Sequence, residues 1–456
     1  MYDDQIKVIK HIQDMADETQ NAHSEIQSGI NELNNELKSL DGYDEVVNSQ
    51  EYKLALEREK NKPAKRTPLE YKSFDEIKKE ADEHIKRRVT LNDILTPEDF
   101  REVDERVYAH VEEFNREYAL DLWDYAIAGS CGLIAGMLDV MCVKAPLKPS
   151  EKFDTPADGV FNRAVQEAFN KLLPPDVSKK LSESFKIGSA DANIKTRLKK
   201  FLGKLTPKNH RLKALSHDPI LGLIFGVFDI LNDSCTIVEG GRIRVYKAIQ
   251  PNNFDGNVFN ALGQMIGHLL SDINAPTPKG NRGMGLPAPF MGLLSGLRNV
   301  KINGHSVGDN IEYMYLKGYD MRQFVATSIP CLIMEILLRT CWTVKGISME
   351  DKTLWTALSQ TAPSNLHKKY RVMTAISYGV LCGINAGKIY ITDNILNLNY
   401  AAWLGLTWNG FHALKWALFD KDFKLWNSFE KKELQRLEDT FSKIEELEKR
   451  VEFLPI

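Results

Sequence analysis

Apolar residues recur at steps of three and four through the first 40 positions: Val8, Ile12, Met15, Ala22 and Ile26, then Ile30, Leu33, Leu37 and Leu40. This is a heptad-like seam. Thr19 is its weak link, and an extra four-residue step after Ile26 is a stutter that locally unwinds a coiled coil. The far end repeats the design, with Leu434, Leu437, Phe441, Ile444, Val451 and Leu454 on one stripe and Glu and Lys elsewhere. Two such helices serve assembly rather than chemistry, by pairing with each other or with another subunit in a homo-oligomer.

Between the two seams the pattern changes twice. Residues 41–100 are polar and highly charged, and Lys62-Pro63-Ala64-Lys65-Arg66-Thr67-Pro68 reads as a linker. Thr96-Pro97-Glu98-Asp99 is a capping signal that opens a helix running towards Leu122. From about 120 to 425, apolar segments of 10 to 20 residues alternate with short polar breaks. Only Arg242-Ile243-Arg244-Val245-Tyr246, after Gly240-Gly241, reads as a strand or hairpin arm. The expected fold is therefore all-α. A charged, coiled-coil-like region occupies 1–90, a central helical bundle 91–425, and an amphipathic helix 426–456.

Within the bundle, Gly132-Leu133-Ile134-Ala135-Gly136-Met137-Leu138-Asp139 is echoed by Gly222-Leu223-Ile224-Phe225-Gly226-Val227-Phe228-Asp229. Each glycine pair lies about one turn apart and lets a neighbouring helix approach closely. Each aspartate follows on the same side. Buried there, it requires a cation, a donor or a raised pKa.

Charge and composition narrow the function classes. Fifty-nine Lys and Arg against 62 Asp and Glu give a net charge of -3 over 456 residues, which excludes a strongly basic nucleic-acid binder as a whole. A mean hydropathy of -0.32 excludes a protein made mostly of membrane spans. Arg371 and Lys388 nevertheless enclose 16 uncharged residues, and Asp393 and Lys415 enclose 21. The second stretch holds Asn394, Asn397, Asn399, Asn409 and His412, and Asp139, Asp229 and Glu335 interrupt the other candidates, so packed core helices are preferred to spans. The six cysteines form no CxxC pair and sit mostly in apolar runs, as buried small hydrophobes do. No secretory signal opens the sequence, so the expected location is cytoplasmic, with attachment to or insertion in the inner membrane as the variant.

The richest chemistry lies in Gly267-His268-Leu269-Leu270-Ser271-Asp272-Ile273-Asn274-Ala275-Pro276-Thr277-Pro278-Lys279-Gly280-Asn281. Four residues apart on a helix, His268 and Asp272 face the same way with Cβ atoms about 6 Å apart. An imidazole and a carboxylate presented together suit a borderline divalent cation such as zinc. A core histidine beside a helix-ending aspartate gives the same spacing. The segment resembles the ligand signature of the zinc-dependent phospholipase C family, an all-α fold with a three-zinc site shared with related single-strand nucleases. His268, Asp272, Ile273, Asn274, Pro276 and Asn281 occupy that family's places. Pro278 stands where the family has a further histidine ligand, and Leu269 where an aromatic is usual. The resemblance covers about 15 residues of 456. It implies a zinc site and phosphodiester hydrolysis. The central region also resembles bacterial proteins carried on mobile elements, which implies no activity but fits a role in bacterial defence.

Further ligands are sought in His305 and Asp309, a second HxxxD pair, and in His217-Asp218, where Asp218 is equally a cap for the helix that Pro219 begins. His217, Asp218, His268, Asp272, His305 and Asp309 together would make a two-metal site, with His268 and Asp272 at the reacting centre. Lys279 and Arg282, in a Gly-rich loop, would offset phosphate charge. That loop lacks the GK[ST] ending of a P-loop, and no GxSxG elbow is present.

From Ser178 to Lys213 the chain holds eleven Lys and Arg against Glu183 and Asp191, with Ile194, Leu198, Phe201 and Leu205 on one helical face. A basic amphipathic helix of this kind suits an anionic membrane surface or a nucleic-acid backbone; a solvated helix packing its stripe on the core shows the same pattern. Two functions follow: a metal-dependent phosphoesterase acting on phospholipid or nucleic acid, or a non-enzymatic, membrane-associated helical assembly protein.

Overall fold

In a computed structural model, the structure describes residues 2–40, 42–60, 72–146, 159–185, 187, 209–247, 254–273, 285–302 and 304–452. The fold is all-α, as the periodicity implied, with two small hairpins. In chain order the helices are α1 (Tyr2–Lys38), α2 (Tyr43–Asn48), α3 (Gln50–Lys60), α4 (Phe74–His84), α5 (Pro97–Tyr118), α6 (Leu122–Cys142), α7 (Val160–Leu172), α8 (Pro175–Ser184), α9 (His210–Lys213) and α10 (Gly222–Asn232). After the β1–β2 hairpin (Ser234–Glu239, Arg242–Lys247) come α11 (Val258–Ile273), α12 (Met291–Leu294), and a second hairpin, β3 (Lys301–Ile302) with β4 (His305–Ser306). Then follow α13 (Val307–Leu316), α14 (Met321–Met349), α15 (Leu354–Ser359), α16 (Lys368–Thr392), α17 (Tyr400–Lys415) and α18 (Lys421–Glu452). The linker expected at 62–68 lies outside the described residues.

The chain divides into two compact units, one of residues 1–116 and 422–456, the other of 117–421. In the first, α1 lies along α4, burying Ile6, Val8 and Ala81 and pairing Lys7 with Asp82 at 2.6 Å and Lys78 with Asp4 at 2.9 Å. The capping signal at Thr96 is formed: its Oγ1 accepts from Asp99 N at 3.2 Å, and Asp99 accepts from Thr96 N at 2.7 Å. α18 runs beside α5, with His110 Nε2 against Ser428 Oγ at 3.0 Å and Arg436 against Glu102 at 3.1 Å. Both terminal helices keep part of their apolar seams exposed, at Ile26, Leu33 and Leu37 on α1 and at Leu434, Leu437 and Phe441 on α18.

The second unit is organised by α6, α14, α16 and α17. Small residues let these helices approach: a Cβ on Gly132 would overlap the Ser377 carbonyl, and one on Gly136 the Ile384 side chain. Around them pack Cys131, Ala135, Met334, Leu338, Met373 and Leu381. The echo at Gly222 and Gly226 works in the same way, against the Ser216 carbonyl and the Met265 thioether.

Both aspartates of the repeat are buried, and both end on donors. Asp139 accepts from Asn399 Nδ2 at 2.8 Å, Asn385 Nδ2 at 3.0 Å and Lys388 Nζ at 3.2 Å. Lys388 also donates to the carbonyls of Asp139 and Val143, closing the end of α6 against α16. Asp229 accepts from Ser234 Oγ, Thr236 Oγ1 and Thr236 N. At the other end of α6, Asp121 and Asp124 cap the helix and meet Lys345 of α14 and Lys369 of α16.

Among the described residues, three helical stretches are long and apolar enough to cross a membrane: Pro97–Cys142, in which α6 is the apolar part, Met321–Met349 and Lys368–Thr392. The charges that counted against spans are partnered, Asp139 and Asp229 in the interior and Glu335 half-buried. Asp139 meets the network above, and Glu335 accepts from Tyr378 Oη at 2.8 Å and pairs with Arg339.

Asp139→Ala strands the Lys388 ammonium and two amides in an apolar interior. We expect a loss of about 3–5 kcal/mol, the range for breaking a buried ion pair, seen as a lower thermal midpoint. The joint change Asp139→Asn with Lys388→Met recovers part of that loss, because it removes both charges.

Candidate metal and acid–base centre

Two chain segments about 50 residues apart meet at the candidate centre. His217 closes the short turn Leu215–His217, held by its own N–H on Ala214 O at 3.0 Å. His268 and Asp272 project from consecutive turns of α11. Gly267 positions this helix, since a side chain there would run into the Phe185 ring. The Phe185 carbonyl lies 3.2 Å from His268 Nδ1.

One ligand atom each of His217, His268 and Asp272 lies within 4.8 Å of the others, and all three residues are buried. His217 Nδ1 is 2.7 Å from Asp272 Oδ2, His268 Nε2 is 3.6 Å from the same oxygen, and Arg211 Nη2 is 2.9 Å from Oδ1. Beyond them, His210 meets His217 edge-on at 5.7 Å between ring centres. Burial alone would raise the Asp272 pKa. The Arg211 guanidinium, then His268, then His217 outweigh it and hold the carboxyl well below the usual carboxylate range.

Hydrogen bonding assigns the imidazole tautomers. A carboxylate and a carbonyl can only accept, so His217 Nδ1 donates to Asp272 and His268 Nδ1 donates to Phe185 O. In the neutral rings the lone pairs then sit on Nε2. A lone pair on His268 Nε2 facing a carboxylate oxygen at 3.6 Å is repulsive. Either a proton on that nitrogen or a cation relieves it. The donor set suits a metal ion through His217 Nδ1, its proton moved to Nε2, His268 Nε2 and the carboxylate, or an Asp-oriented imidazole acting as a base.

The other expected residues are placed differently. Asp218 is a buried cap: Oδ1 accepts from Ile220 N and Leu221 N, each at 3.0 Å, and Oδ2 from Phe290 N at 2.5 Å. Burial raises its pKa against those bonds. His305 is exposed in β4, and Asp309 lies in the first turn of α13 with Arg298 at 3.6 Å. Neither joins the grouping around Asp272. Lys279 and Arg282 fall outside the described residues, as do Asn274, Pro276, Pro278 and Asn281. So does the apolar face at Ile194, Leu198, Phe201 and Leu205.

Arg211 and His210 were not singled out as site residues. Arg211 was one charge among eleven in the basic run, and only the tertiary fold turns it onto Asp272. Lys213 of that run is likewise engaged, by Glu312 at 3.6 Å. No protein-family model matches the chain, and no curated protein or solved structure matches it either.

Because its pKa is depressed in the fold, Asp272 contributes stability that is present above the ordinary carboxylate range of about 3.9. That contribution is lost as pH falls through the folded value. Wild-type protein should therefore unfold at a higher temperature than Asp272→Asn at neutral pH, and the gap should narrow below about pH 4. A gap that widens on acidification would contradict the ionised state of Asp272.

Proposed function

We propose that the chain is a membrane-embedded helical protein whose buried His217–His268–Asp272 centre binds a divalent metal ion, zinc being the best match, and hydrolyses phosphodiesters. The convergence of two imidazoles and an ionised carboxylate within 4.8 Å carries this reading. The family-like spacing from His268 to Asn281 supports it.

His217 would hold the ion through Nδ1, its proton moved to Nε2, His268 through Nε2, and Asp272 through an oxygen. A metal ion there would polarise the phosphoryl oxygen and make a nucleophilic hydroxide near neutral pH. Arg211 keeps Asp272 charged and fixes its orientation, while Phe185 O sets the His268 ring. Lys279 and Arg282, seven and ten residues beyond Asp272 in sequence, are the nearest basic side chains along the chain for a substrate phosphate. The substrate class is a phospholipid headgroup or a nucleic-acid backbone, with the basic run 178–213 as the element attracting it.

A second reading, a non-catalytic assembly protein, is favoured by one observation: the exposed seams of α1 and α18. Association through them predicts a homo-oligomer that Leu33→Glu with Leu37→Glu dissociates in analytical ultracentrifugation.

Elemental analysis of chelator-washed protein, wild type beside His268→Ala, tests the metal reading. The wild type should retain stoichiometric metal and cleave bis(p-nitrophenyl) phosphate. The variant should lose the metal and drop at least about 100-fold in turnover, the upper range for disturbing a metal shell, while its helical circular dichroism stays unchanged. Equal metal in both proteins, or none in either, would reject the ligand assignment.

A further inference from the structure

The bundle of the second unit has the polarity of a membrane protein. On α6 and α14 most outward positions are large and apolar, among them Met137, Met141, Leu332 and Ile336, at 47%, 70%, 59% and 54% exposure, the mutually paired Glu335 and Arg339 being the exception. Inward positions carry the charges and amides: Asp139, Lys388, Asn385 and Asn399 are all buried. Water selects the opposite arrangement, whereas hydrocarbon selects this one, with small residues at helix contacts and ionisable groups turned into the bundle.

The two ends of the bundle can be told apart. At one end, Asp121 and Asp124 at the start of α6 meet Lys345 near the end of α14 and Lys369 at the start of α16. At the other end lies the His–Asp centre. Leu286 N donates to Asp272 O at 3.0 Å, and Met321 N, at the start of α14, donates to Leu286 O at 2.8 Å. From Met321 to Lys345 the helix rises about 36 Å at 1.5 Å per residue, more than the hydrocarbon thickness of about 30 Å.

α17, 16 residues long and so rising about 24 Å, runs back between the same two ends. Its first residue, Tyr400, donates its N–H to Tyr319 Oη and its hydroxyl to Pro289 O, at the centre's end. Trp416, just beyond its last turn, packs on Tyr118 at 5.4 Å and lies under Lys368 Nζ, at the opposite end. Of the 21 uncharged residues between Asp393 and Lys415, those from Tyr400 to Leu414 lie on α17 and the first six form the turn before it. The chain thus enters and leaves the unit at the Asp121–Lys345 end.

Orientation follows from the short connections, where Lys and Arg mark the cytoplasmic side. The α14–α16 connection, 350–367, holds Lys352 and is flanked by Lys345, Lys368, Lys369 and Arg371, whereas the α16–α17 turn, 393–399, holds no Lys or Arg and has only Lys388 within the same distance. The long segment 143–320 is of a length that crosses irrespective of its charge.

Taking the membrane-embedded reading as its basis, we infer that the bundle crosses the bilayer four times with the Asp121–Lys345–Lys369 end in the cytoplasm. The His217–His268–Asp272 centre then lies towards the non-cytoplasmic side. Its substrate is accordingly a phosphodiester reached from that side, such as the headgroup of an outer-leaflet lipid.

Thiol accessibility in the full-length chain tests this topology. Ser364→Cys, exposed in the 350–367 connection, and Ile302→Cys, exposed on the β3–β4 hairpin, are treated in intact cells with a membrane-impermeant maleimide. Wild type, with its six cysteines, sets the background. Ile302→Cys should label several-fold above background in intact cells, and Ser364→Cys only after lysis. The reverse pattern, or labelling of both in intact cells, overturns the assignment of sides. Labelling of both only after lysis also overturns it, and alkaline carbonate then separates the causes. Protein retained in the membrane fraction means that the sides alone are wrong; protein released means that the membrane reading itself fails.

Discussion

Asp139 sits between α6 and α16 where no solvent reaches it, and the second unit is arranged to supply what its carboxylate lacks. Lys388 brings the charge, Asn385 and Asn399 bring amides, and the turn from α16 into α17 is placed so that Asn399 can reach. An unmatched carboxylate in such surroundings costs far more than a single domain's net stability allows. The positions of three helices are therefore coupled through one side chain. The glycines one turn apart make the coupling geometrically accessible, because α6 can lie close enough to α16 for these short side chains to meet.

The same condition is met in a different way at Asp272. Its counter-charge is Arg211, which is permanently ionised, and its remaining neighbours are imidazoles, which are not. Asp139 is surrounded by groups that hold one arrangement. Asp272 has, beside its permanent counter-charge, two imidazoles whose protons can move. The two carboxylates are alike in burial and differ in what surrounds them.

Much of the architecture was legible from periodicity alone. The helices at the two ends, the Thr96 cap, the hairpin arm at Arg242–Tyr246 and the glycine repeat all appear where local pattern placed them. The strand Ser234–Glu239 was missed because it is buried along almost its whole length and shows no alternation. Within the centre, the His268–Asp272 pair was readable, since helical spacing determines it. The meeting of His217 with that pair is a long-range contact that no spacing encodes, and Arg211 was hidden among similar charges. His305 and Asp309 repeat the spacing without the setting: His305 precedes α13 in a hairpin, so four residues do not place the two on one helical face.

Gly267 has a consequence beyond packing. By admitting the Phe185 ring against α11, it brings the Phe185 carbonyl onto His268 Nδ1. That carbonyl decides which ring nitrogen carries the proton. If the chain were drawn away at Phe185, the proton would be free to move to Nε2, and His268 would become a donor to Asp272 in place of an acceptor beside it. The tautomer of His268 is thus tied to the backbone position at Phe185, within the basic run 178–213.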